Sequence, residues 1–252
     1  MSENIIYGIM SAMPEEIDGV ISLIHDPQHK SIAGRTYTTG TINDKDVVVV
    51  FSRWGKVAAA STATTLIDYF KVDKIVFTGI AGAIHDDLNV GDIVVADSCV
   101  FHDLDTRPLN ERFVVPIINK KFFELNVSES WYLKLVNTFH ANNINQIIDE
   151  NWISLFNLRT VQVVRRSIAT GDQFVNSEKM KDDLRINLPV VACVEMEGAA
   201  VAQICFEYNI PCSIVRTISD SANNTAAMDF MPFAKHVASS YSVAIVTALL
   251  SD

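Results

Sequence analysis

Apolar positions along this chain fall into short β-branched runs, separated by stretches in which they recur every three or four residues. The first pattern predicts buried strands and the second predicts helices packed by one face. Residues 4–10, 74–77, 93–100, 160–169, 190–194 and 211–218 are strand-like, and 37–42 with 47–51 reads as a hairpin turned at Asn43-Asp44-Lys45-Asp46. Helical spacing marks 15–25 (Ile17, Val20, Ile21, Ile24) and 55–70 (Val57, Ala60, Ala63, Leu66, Ile67, Phe70). It returns at 131–140, at 177–184, after Glu197 (Ala200, Val201, Ile204, Cys205, Tyr208) and at 229–250. Ser11, Pro14 and Glu15 give the first helix a start signal. Residues 101–160 are polar, carry Pro108 and Pro116, and hold one clear amphipathic helix, at 131–140. Strands alternating with helices predict an α/β fold, a mixed, mostly parallel sheet with helices on both faces. There is no repeat, low-complexity segment or linker, so residues 1–252 are expected to form one domain.

In such sheets ligands bind beyond the carboxyl ends of the strands. The chain's unusual polar residues lie just there: Glu15 and Glu16, the glycine-rich turn Gly79-Ile80-Ala81-Gly82, Gly171 with Asp172 and Phe174, Glu195 with Glu197, and Ser219 with Asp220. Glu197 stands one turn before Val201, which places it on the inward helix face. A carboxylate there must be stabilised by hydrogen bonds or a ligand, because bare burial is costly. Alternatively, Glu195 and Glu197 complement the positive end of the helix. Five strand ends that together carry several carboxylates point to a cleft. Two carboxylates can divide acid and base roles, as in glycoside hydrolysis. A third suits a pair of vicinal hydroxyls, and Phe174 can stack a flat base.

Composition narrows the class. Hydrophobic residues make up 49% and the formal net charge is −10, with no Lys/Arg block, which argues against a nucleic-acid or anionic-membrane partner. The first residues lack a basic stretch before acidic ones appear, so no signal peptide is expected, and no apolar run approaches the ~20 residues of a membrane span. Cys99, Cys193, Cys205 and Cys212 lack metal-type spacing and read as buried thiols of a cytoplasmic protein. No metal or cofactor is expected, and the absence of GxSxG argues against acyl transfer.

The segments GIMSAMPEEI, GKVAAASTATTLI, TGIAG with NVGDIVVAD, ATGDQF, CVEMEGAAVA and VRTISD, in this order, resemble the bacterial 5′-methylthioadenosine/S-adenosylhomocysteine nucleosidases of the purine nucleoside phosphorylase superfamily. The resemblance covers the chain except roughly 101–160. It implies a nucleoside phosphorylase-like fold and hydrolysis of the N-ribosidic bond of adenine nucleosides carrying a 5′-thio substituent. By the same resemblance, Glu16 is the base for the attacking water and Asp220 the acid that protonates purine N7. Glu197 holds the ribose hydroxyls beside Met196. Arg216 lies near the water and ribose, oriented by Glu195. Phe174 stacks on adenine while the backbone of Val175 reads its edge, and Phe230 closes over the 5′ end. Ala81, Gly82 and Ser219 complete the substrate-binding set. Neighbours on a helix stand about 100° apart, so only one of Glu15 and Glu16 can face the cleft, and the resemblance selects Glu16.

Three features depart from the family. Ile80 occupies a position usually held by Ser, which counts against phosphorolysis. Arg53-Trp54 stands where small residues are usual, and Arg53 reads equally as a cation near the site or as a surface residue. The stretch from His102 to Leu109 begins as in the family and then diverges. The family pairs as homodimers in which 101–120 caps the partner's site, so the divergence bears on substrate range. Metal binding by His102, Asp103 and Asp105 lacks a second His or Cys at matching spacing. An aminodeoxyfutalosine hydrolase, an adenosine phosphorylase and a silent nucleoside-binding protein remain the alternatives. The survival of Glu16, Glu197 and Asp220 argues against the last.

Overall fold

The computed structural model describes residues 5–140, 143–223 and 226–251, with the side chains of 159 and 227–229 excluded. The first expected strand thus begins, at Asn4, outside the described residues. Ten strands form one sheet: β1 (Ile6–Ser11), β2 (His25–Ile32), β3 (Arg35–Ile42), β4 (Lys45–Phe51), β5 (Lys74–Ala83), β6 (Ile93–Phe101), β7 (Phe123–Glu124), β8 (Val163–Thr170), β9 (Val191–Glu195) and β10 (Cys212–Asp220). The helices are α1 (Pro14–Ile21), α2 (Lys56–Asp68), α3 (Glu129–Thr138), α4 (Ile144–Ile147), α5 (Glu150–Phe156), α6 (Glu178–Asn187), α7 (Gly198–Tyr208), α8 (Ala226–Phe233) and α9 (Ser239–Leu250).

The α/β architecture matches the expectation, and pairing adds a closure. Strands β4, β1, β5 and β10 run parallel as neighbours, as do β6, β8 and β9. Antiparallel pairing of β10 with β6 and of β5 with β9 joins the two groups, so β5, β10, β6, β8 and β9 close into a ring. The long strand β5 makes this possible. Its first half pairs with β1, β10 follows it from Ile75 to Gly82, and its last residues, Gly82 and Ala83, pair with Val194 and Cys193. The segment from Gly79 to Gly82, expected to be a turn, therefore continues the strand.

Local sequence explains most elements. Asn43 and Asp44 both take positive φ (49° and 59°) between β3 and β4, the geometry of a tight hairpin turn that these residues tolerate. Ser128 and Ser177 cap α3 and α6 by accepting from the N–H of Trp131 and Met180. Strand β2 was not expected: it is exposed, polar and contains Pro27, and it pairs only with β3 at the sheet edge. The last helix is also not uniform, since a π-turn at Ala234–Ala238 joins α8 to α9. Through that turn, Phe230–Leu250 is long and apolar enough to pass for a membrane span, but 61% of the window is buried, where α1 and α3 pack on α9. Its apolarity is that of a core helix.

Candidate active site

The ends of β1, β5, β8, β9 and β10 surround a cavity of about 390 Å³. Its wall includes Glu16, Ala81, Gly82, Phe174, Val175, Glu195, Met196, Glu197, Ser219, Asp220 and Phe230. Every residue expected at the site from sequence thus reaches the cavity except Arg216, which lies fully buried beneath it. Ala12, Met13, Trp54, Ile80, Gln173, Val194 and Met231 also line it. The sequence signal for these is only their adjacency to strand ends, and for Trp54 its bulk where small residues are usual.

Glu16 is the third residue of α1 and only 2% exposed, whereas Glu15 faces solvent. Its Oε2 accepts from the N–H of Ala12 and of Met13, both at 2.9 Å, and its Oε1 from the N–H of Ile80 at 3.0 Å. A carboxylate offers about four lone-pair sites, so one remains for a water. Burial pushes the Glu16 carboxyl above the usual range, opposed by the Arg216 charge and these N–H groups. Gly79 permits this approach, because a Cβ there would stand 3.0 Å from Glu16 Oε1. Ile80 supplies the bond from its backbone, and its side chain lines the wall.

Glu195 and Glu197 divide the two roles considered for them. Glu195 holds the helix end: it accepts from the N–H of Glu197 at 3.0 Å and, with both oxygens, from the N–H of Gly198 at 2.8 and 2.9 Å. It also accepts from Thr170 Oγ1 and forms a buried ion pair with Arg216 at 2.7 Å. Arg216 donates further to the carbonyls of Phe77 and Val215 and lies 4.0 Å over the Phe77 ring. Glu195 is thus committed to protein donors and orients Arg216. Glu197 is the N-cap of α7, not a residue of its first turn, yet it is buried. Its Oε1 accepts from the N–H of Gly55 at 2.7 Å. Burial, and then the neighbouring Glu195 charge, push its carboxyl up to about 8.

Asp220 closes β10 and is 3% exposed. Its Oδ1 accepts from the N–H of Ala222 and its Oδ2 from the Ser219 hydroxyl, both at 2.8 Å. Phe174 and Phe230 meet edge to face at 5.7 Å, closing the cavity on one side.

The departures also find their places. Arg53 donates to the carbonyl of Gly34, so it braces the β2–β3 turn and belongs to the surface. Asp103 binds Lys56 Nζ at 2.5 Å and the N–H of Asp172 at 2.9 Å, Asp105 pairs with Arg107, and the His102 ring packs against Gly171. Among the described residues no group of three or more His, Cys, Asp or Glu is arranged to hold a metal.

A family model for the phosphorylase superfamily matches residues 6–251. The chain belongs to that superfamily. It is 33% identical over 246 residues to a 5′-methylthioadenosine/S-adenosylhomocysteine nucleosidase of Shewanella frigidimarina, covering 97% of this chain and 98% of that protein. The S. pneumoniae nucleosidase of the same name, solved with the transition-state inhibitor MT-ImmA, superposes with a TM-score of 0.81 at 31% identity and 98% coverage of both chains. A futalosine hydrolase of Helicobacter pylori superposes with a TM-score of 0.80 at 30% identity, over 99% of this chain and 98% of that one. Within the superfamily the chain falls in the 5′-methylthioadenosine/S-adenosylhomocysteine nucleosidase family.

Proposed function

We propose that this protein hydrolyses the N-ribosidic bond of adenine nucleosides bearing a 5′-thio substituent, releasing adenine and the thioribose. The observation that carries this is the convergence of three buried carboxylates, Glu16, Glu197 and Asp220, on one cavity with an aromatic wall at Phe174. Cleavage builds cationic character on the sugar and negative charge on the base. Asp220, steadied by Ser219 and the N–H of Ala222, donates its proton to purine N7 and makes adenine a neutral leaving group. Glu16 accepts the proton of the attacking water at its remaining lone pair, and the buried carboxylates stabilise the cationic ribosyl centre. Glu197 spends one acceptor site on Gly55, which leaves the others for the 2′- and 3′-hydroxyls. Phe174 stacks on the base, Val175 reads its edge from the backbone, and Phe230 covers the 5′ end.

The same reading makes the protein a cytoplasmic homodimer acting on small nucleosides in methionine salvage, with no cofactor and no nucleic-acid or membrane partner. Leu109 and Ile117, 87% and 102% exposed in the 101–120 segment, support the dimer. A futalosine-type hydrolase is retained as the second reading because of the H. pylori neighbour. Adenine release from methylthioadenosine, S-adenosylhomocysteine, adenosine and aminodeoxyfutalosine, each with and without phosphate, tests both. Phosphate-independent release from the thio-nucleosides is expected. Turnover confined to aminodeoxyfutalosine selects the second reading, and a phosphate requirement rejects both.

A further inference from the structure

The turn that follows β10 carries the acid assigned above, and α6 reaches that turn with a buried cation. Lys181 is only 4% exposed, and its Nζ donates to the Ser221 carbonyl at 2.9 Å. The same peptide unit, Ser221–Ala222, turns its N–H to Asp220 Oδ1 at 2.8 Å. This peptide is planar and trans, so its C=O and N–H point opposite ways and fixing one fixes the other. Ala222 takes φ 48°, a left-handed conformation that a side chain opposes. Its Cβ is accommodated because Gly82 has none, since a Cβ on Gly82 would stand 3.0 Å from it. A turn strained in this way persists only where its surroundings hold it. Lys181 is itself held. Leu184, one turn further along α6, packs in one apolar cluster with Ile84 and Ala222, and Arg185 donates to the Ile84 carbonyl at 2.7 Å. These contacts tie α6 to the end of β5. Asp86 lies 3.5 Å from Lys181 Nζ, but its side chain is 78% exposed and Arg185 binds it more closely. The well-formed bond of the ammonium is the one to the Ser221 carbonyl.

We infer that Lys181 is a positioning residue for Asp220, acting through the Ser221–Ala222 peptide. This rests on the nucleosidase reading above, in which Asp220 protonates the purine. The ammonium draws electron density towards the carbonyl oxygen and polarises the peptide, which makes its N–H a stronger donor to the Asp220 carboxyl. It also keeps the strained turn from relaxing, so the carboxyl holds one orientation towards the base. As the proton passes to the purine, Asp220 becomes anionic and the bond from the Ala222 N–H strengthens, so it favours the transition state over the bound substrate. Burying an ammonium is costly unless it is well bonded, and an apolar side chain would fill the same space. The charge serves to hold the one carbonyl next to the acid.

The test compares Lys181→Met with the wild type on methylthioadenosine and on the p-nitrophenyl 5-methylthioriboside, whose nitrophenolate leaves without needing a proton. Lys181→Met is expected to lower kcat for methylthioadenosine about 10-fold or more with little change in KM, and to leave nitrophenolate release largely intact. A purely structural role would slow both substrates alike. In an Asp220→Asn background the same substitution should cost little more, because residues that act as a unit are not additive. Lys181→Gln, polar but uncharged, should show the same split and serves if the methionine variant does not fold. Equal losses on the two leaving groups, an unchanged kcat for methylthioadenosine in a folded variant, or full additivity with Asp220→Asn overturns the inference and leaves the nucleosidase reading standing. No adenine from folded wild type overturns that reading itself.

Discussion

Each buried carboxylate at the cavity has a different set of protein donors, and that difference assigns the work. Asp220 makes two short bonds to its own segment, which fix its orientation for proton donation. Asp220→Asn keeps an oxygen for the Ala222 N–H and turns the Ser219 hydroxyl into an acceptor of its NH2, but has no acidic proton, so turnover is expected to fall by about 10²–10⁴ with little change in melting temperature. A folded variant with near-normal adenine release removes Asp220 from the mechanism. Glu197 behaves differently. With its carboxyl pushed up to about 8 by burial and the Glu195 charge, it is protonated in the free protein at neutral pH. The ribose hydroxyls donate best to the ionised form, so KM should fall as pH rises towards 8 and then level off. Glu197→Gln should raise KM and abolish this dependence, and a KM profile identical to the wild type in the variant would exclude the role. Arg216 and Glu195 act as a unit below the cavity floor. Arg216→Met leaves Glu195 buried and unpaired, which costs about 3–5 kcal/mol of stability and shows in denaturant unfolding.

At the scale of elements, the site depends on how closely strands approach one another. Gly82 pairs with Val194 at the end of β5, and a Cβ there would stand 2.9 Å from Asp220 Oδ1 and 3.0 Å from Ala222 Cβ. Gly82→Ala therefore has to displace the Asp220 segment. It should lower kcat by about 10-fold or more while the far-ultraviolet circular dichroism remains that of the wild type; unchanged kcat would show that the segment yields freely. The sequence showed glycines at this place but not their purpose, because a glycine-rich run after a short apolar run reads as a turn. Strands β1, β4, β9 and β10 were legible because their apolar runs are buried. Edge strand β2 carried no such signal: HDPQHKSI is exposed along its length and takes its order from pairing with β3. The carboxylates were legible as a group, since all follow strands. What distinguishes Glu195 from Glu197 came only from the family resemblance and not from the residue pattern, because it resides in contacts to Arg216 and Gly55 that are 21 and 142 residues distant in the chain.

For the whole molecule, concentrating carboxylates inside the ring of strands couples folding to pH. Burial raises both Glu16 and Glu197 above their ordinary value of 4.5, the latter to about 8. Between those values the folded protein keeps a proton on Glu197 that the unfolded chain has released. This contribution to stability is fully present below about pH 4.5 and is lost progressively as pH rises through the folded value near 8. Asp105, held down to about 2 by hydrogen bonds from Arg107, and Asp87, held down by Arg166, have the opposite sign and act only at acid pH. The melting temperature is therefore expected to decline from about pH 5 to 8, where most domains hold theirs. A change of 1 kcal/mol corresponds to about 2–4 °C for a chain of this size. Glu197→Gln should flatten the decline, and a slope equal to that of the wild type would show that the buried carboxyl does not couple to folding. A bound nucleoside reverses the effect, since its hydroxyls satisfy the ionised carboxylate. At 100-fold over Kd, any ligand of the folded state adds about 2.7 kcal/mol. Because the Kd of a substrate analogue should itself fall as Glu197 ionises, a fixed concentration should stabilise the protein more at pH 8 than at pH 5. Thermal shifts of equal size at both pH values would separate ligand binding from the ionisation of Glu197.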